Sequence, residues 1–67
     1  MDTIEFLNER IRVTSIERDN LFAQLIEGMG RNDKRTQDEI EKRYYKACGY
    51  ISCLFDTLVA IERSNRL

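Results

Sequence analysis

Seven side chains in the second half of the chain recur at intervals of 4, 3, 4, 3, 4 and 3 residues: Ile40, Tyr44, Ala47, Ile51, Leu54, Leu58 and Ile61. This alternation is a heptad seam, the pattern of a long helix that packs along its length against another helix. The chain contains no proline, so nothing in it forces a helix to break. Thr36-Gln37-Asp38-Glu39 has the form of a capping box, with Thr36 as N-cap and Glu39 reaching back to it. Asp38–Lys42, Glu39–Arg43 and Glu62–Arg66 place an acid four residues before a base, the favoured order on a helix. Together these signals predict a helix over about residues 37–64. Gly49 costs this helix up to about 1 kcal/mol relative to alanine, and close approach of a neighbouring element is the expected reason for it.

The first half predicts a second helix over about residues 3–29. Asp2 or Thr3 can cap it. Ile4, Leu7 and Ile11, then Leu21, Phe22, Leu25, Ile26 and Met29, make one apolar stripe, interrupted by Thr14, Ser15 and Arg18. Gly28 and Gly30 bracket the expected helix end. The connector GMGRNDKR follows no strand and lacks the Gly-Lys-Ser/Thr ending of a phosphate loop, so it is not read as a nucleotide site. Two helices joined by so short a connector fold back on each other. The fold class is all-α: residues 1–67 form one domain, a coiled-coil-like antiparallel two-helix hairpin. With the turn centred near Asp33, Ile4 faces Ile61, Leu7 faces Leu58, Ile11 faces Leu54 or Phe55, Arg18 faces Ala47, and Phe22 faces Tyr44.

Several function classes are disfavoured. Hydrophobic residues make up 42% and charged residues 34%, which is not a disordered composition. The net charge of −1 lacks the basic excess of an electrostatic nucleic-acid binder. Arg31, Lys34 and Arg35 form a short basic cluster, but Asp33 dilutes it and a solvated turn explains it. The most apolar run, Tyr44 to Ile61, falls short of the about 20 residues of a membrane span and carries Lys46 and Asp56. No secretory signal opens the sequence, so a cytoplasmic location is expected. Cys48 and Cys53 are five residues apart, about 140° around a helix, too divergent for a disulfide. There is no histidine and no CxxC pair, so no metal or cofactor is expected. Nor is an enzyme with a small-molecule substrate, because no nucleophile and base pair off.

What remains is a surplus of apolar surface. Tyr45, Cys48, Ser52, Phe55 and Val59 form a second seam on the second helix, one residue along from the first. Phe6, Val13 and Ile16 lie roughly opposite Ile4, Leu7 and Ile11 on the first helix. A two-helix hairpin has one interior face and cannot cover these residues. An exposed apolar stripe of this length marks a partner site. These eight residues are therefore the candidate partner-binding positions. The partner is either a second copy of the chain, giving a four-helix bundle, or a different protein that donates helices. A homodimeric bundle would suit a regulator, whether nucleic-acid-binding or a phage-type inhibitor.

Three segments also carry a family resemblance: LFAQLIEGMGRNDKR at the first helix end and turn, Tyr44-Tyr45 early in the second helix, and ACGYISCLFDTLVAI after it. In length and outline the chain resembles the small helical-hairpin co-chaperones of type III secretion needle subunits. Its more basic connector, its two cysteines and Gly49 depart from that pattern. The resemblance implies a bacterial, cytosolic protein in protein transport. It would stabilise a larger helical-repeat chaperone, and the two together would hold the needle subunit before export.

Overall fold

The computed structural model describes residues 2–66, with the Arg66 side chain outside the description. It is an antiparallel hairpin of α1 (Thr3–Gly28) and α2 (Lys34–Arg66). Its Cα trace spans 52 × 17 × 13 Å, one helix thick and two helices wide. The expected all-α hairpin is the observed fold.

Asp2 caps α1, its side chain accepting from the Glu5 N–H at 2.8 Å. The Gly28 carbonyl accepts from Arg31 N at 3.0 Å and from Asn32 N at 2.9 Å. Met29 is extended at φ −62° and ψ 121°, and Gly30 follows at φ +79°. That sequence of dihedrals is a type II turn, which needs a left-handed residue in its third place and has a glycine there.

α2 begins three residues earlier than expected, and the cap is Asp33 rather than Thr36. The Asp33 carboxylate accepts from Thr36 N at 2.8 Å. The Thr36 hydroxyl and then its backbone N–H hold that carboxyl below the usual carboxylate range. Asp33-Lys34-Arg35-Thr36 and Thr36-Gln37-Asp38-Glu39 are two nested cap signals. The earlier one extends α2 by a turn and brings Gln37 onto the seam. There Gln37 donates to the Leu25 carbonyl at 3.1 Å and accepts from Asn32 Nδ2 at 3.0 Å. Leu25 O is one of the carbonyls a helix end leaves without a partner. A Cβ at Gly28 would collide with Asn32 Nδ2 and Gln37 Oε1, so the glycine makes room for the clasp. Gln37→Ala is expected to cost about 1–2 kcal/mol by orphaning that carbonyl. Thermal melts should show it, with Gln24→Ala unchanged as the exposed control.

Burial defines the seam. On α1 the buried residues are Leu7, Thr14, Leu21 and Gly28, one per heptad. Ile4, Ile11, Arg18 and Leu25 are half-buried between them. The α1 stripe is therefore not interrupted, because Thr14 and Arg18 occupy seam positions. Conversely, Phe22, Ile26 and Met29 are 51%, 54% and 69% exposed and do not belong to it. On α2 the seam runs Gln37, Ile40, Tyr44, Ala47, Ile51, Leu54, Leu58 and Ile61. The Gly28–Gln37 contact fixes the register, which sets Leu25 against Ile40, Leu21 against Tyr44, Arg18 against Ala47, and Thr14 against Ile51. The same register sets Ile11 level with Leu54, which is buried, rather than with Phe55, which is exposed. Phe22 nevertheless stacks obliquely on Tyr44 from outside the seam, with ring centroids 5.8 Å apart. Arg18 fits beside the small Ala47 by lending its aliphatic stem to the seam, while its guanidinium pairs with Asp19 at 3.1 Å.

Among the described residues, neither Asp38–Lys42 nor Glu39–Arg43 forms an ion pair. Lys42 instead approaches Glu39 at 4.0 Å, three residues away, and Arg12 pairs with Glu9. The Glu62–Arg66 pair falls outside the described residues. Gly49 is exposed, and an added Cβ there would meet nothing within 4 Å. No element of the hairpin approaches it, against expectation.

Candidate protein-binding face

The two flanks of the hairpin differ in chemistry, and each follows from the seam. A step of one residue turns a helix by about 100°. Residues directly after seam positions therefore fall on one flank, and those directly before on the other. On α2 the residues after the seam are Asp38 and Glu41 near the turn, then Tyr45, Cys48, Ser52, Phe55 and Val59, and Glu62 toward the open end. On α1 they are Phe22, Ile26 and Met29 near the turn, then Asp19, Ser15, Arg12, Asn8 and Glu5 toward the open end. One flank thus carries an apolar band along α2 that widens onto α1 at the turn end. Tyr45 is 63% exposed, Phe55 49% and Val59 43%. Ser52 is exposed and Cys48 half-buried.

The aromatic rings show that both helices contribute to this flank. Phe22 meets Tyr44, and Tyr44 meets Tyr45 edge-on at 5.6 Å between centroids. The neighbouring Cys48 thiol is the main reason the Tyr44 phenol pKa lies above its ordinary value. Phe22 and Ile26 are members of this face that the sequence reading assigned to the interior. The visible signal was their offset of one residue from Leu21 and Leu25.

The opposite flank is mixed, with charged side chains at its groove and apolar ones beside it. Arg10 and Glu17 of α1 and Arg43, Lys46 and Tyr50 of α2 line a shallow groove of about 690 Å³, with Thr14 and Ala47 at its floor. Phe6 and Val13 precede the seam positions Leu7 and Thr14, so they sit toward this side, with Ile16 on the outer surface of α1. All three are exposed. They do not join the Tyr45–Val59 band, so the eight candidate positions form two separate surfaces.

Cys48 and Cys53 are both free thiols. Arg31, Lys34 and Arg35 are exposed at the turn. Among the described residues, no group of histidine, cysteine and acidic side chains is placed to hold a metal ion, and no helix is long and apolar enough to cross a membrane. No family model, curated protein or solved structure matches the chain.

Proposed function

We propose that this chain is a protein-binding helical hairpin whose Tyr45–Val59 face is covered by helices of another subunit. The observation that carries the reading is the Tyr45–Val59 band itself. Tyr45, Phe55 and Val59, with Phe22 and Ile26 beside them, are exposed at regular helical spacing on one flank, while the other flank sets its exposed Phe6, Val13 and Tyr50 among Arg10, Glu17, Arg43 and Lys46. Scattered exposed apolar residues are normal, but a band aligned with the helix axis at heptad spacing is the form a helix-binding surface takes. Its aromatic members are of the type that anchors interfaces.

The co-chaperone role is the narrower version of this reading. In it the face seats on a helical-repeat chaperone that holds a needle subunit, and the support is the resemblance in the turn and second-helix segments. The same face serves either version.

A photoreactive phenylalanine analogue at position 55 tests the general reading in cells of the source organism. It is expected to form a covalent adduct with a protein, whereas the same group at Lys46 on the opposite flank gives none. Phe55→Glu should weaken the association at least about 30-fold, the scale of an interface hot spot. The absence of any adduct at both 45 and 55 overturns the proposal.

A further inference from the structure

Resting on that partner-binding reading, we propose that the occupant of the face is a second copy of this chain, joined α2 to α2 in a four-helix bundle. The first argument is area. A compact monomer of 8.0 kDa exposes about 4,450 Å². This hairpin exposes 5394 Å². The excess of about 900 Å² is close to the roughly 800 Å² that each partner contributes to a standard interface.

The second argument is shape. The molecule is 52 Å long but only 13 Å thick. Its apolar band spans about 21 Å from Tyr45 to Val59 along α2. A straight partner one layer thick, with an equally long apolar stripe, closes such a surface, and another hairpin of this kind is one.

The third argument is the order of sizes along the stripe. Tyr45 and Phe55 are large, and Cys48 and Ser52 between them are small. When the stripe runs antiparallel against itself, the Phe55 ring of each copy enters the notch at Cys48 and Ser52 of the other. That is the self-complementary contact a two-fold axis requires. α1 takes a lesser part because its open-end half offers Asn8, Arg12 and Ser15 to this face.

Sedimentation equilibrium of the full chain tests the proposal. The wild type is expected at twice the 8.0 kDa chain mass. Phe55→Glu should weaken dimerisation at least about 100-fold, since Phe55 is the central anchor. Cys53→Glu, exposed and directly before seam position Leu54, should leave the dimer and its helicity intact. Circular dichroism of each variant separates loss of association from loss of fold, and Tyr45→Lys repeats the test at an independent position. A wild type that stays monomeric and helical up to millimolar concentration overturns the second copy. So does a dimer that survives both Phe55→Glu and Tyr45→Lys, or one that Cys53→Glu breaks equally. A monomeric chain that still yields an adduct to a different protein through position 55 leaves the partner-binding reading standing and removes only this one. A monomer with no adduct removes both.

Discussion

Ile51→Ala is expected to unfold the hairpin at low micromolar concentration, with loss of most of its far-ultraviolet helical signal. Ile51 is 5% exposed, the most buried apolar side chain in the structure. It sits at the middle of the α2 seam, opposite Thr14. Truncating a buried isoleucine to alanine costs about 2–5 kcal/mol, combining lost transfer energy with the cavity left behind. A single core in a chain this short rarely supplies more than about 3–5 kcal/mol. Here no large side chain among the described residues is fully enclosed, and both cysteines are free. The loss is therefore comparable to the whole stability of the hairpin. Low concentration matters because association would add stability by mass action and mask the effect. Cys53→Ala, two residues away and exposed, should stay within about 0.5 kcal/mol of wild type. If Ile51→Ala retains a cooperative melt near the wild-type midpoint, the seam assignment is wrong.

The α2 seam was legible in the sequence because its members are nearly all apolar, so a hydrophobic pattern and a packing pattern coincide there. On α1 they do not. Thr14 and Arg18 hold seam positions, one as a small branched side chain and the other through its aliphatic stem. A reading keyed to hydrophobicity sees a gap at both. The same reading drew Phe22, Ile26 and Met29 into the interior because they are apolar, although a strict 3-4 alternation from Ile4 passes through Leu21 and Leu25 instead. Correcting that one-residue offset does more than tidy the core. It moves three large side chains onto the outer face beside Tyr45 and makes that face a surface shared by both helices. The start of α2 was ambiguous for a different reason. Two capping sequences overlap at Thr36, and what favours the earlier one is the Gln37 clasp on Leu25, a contact between helices that no local pattern contains.

Thr14→Val is expected to raise the melting temperature, the reverse of most substitutions at a buried site. Thr14 is 3% exposed, and its hydroxyl is buried without a hydrogen-bond partner. A threonine in a helix ordinarily resolves this by donating to the carbonyl four residues back. Thr57 does so, to Cys53 O at 2.9 Å. Thr14 does not, and it carries the desolvation cost of its hydroxyl, about 1–3 kcal/mol. Valine has the same branched shape and a similar helix propensity, so the polar atom is the main thing that changes. At about 4–8 °C per kcal/mol for a domain of this size, the midpoint should rise by several degrees or more. A fall would mean that the hydroxyl has a partner in solution.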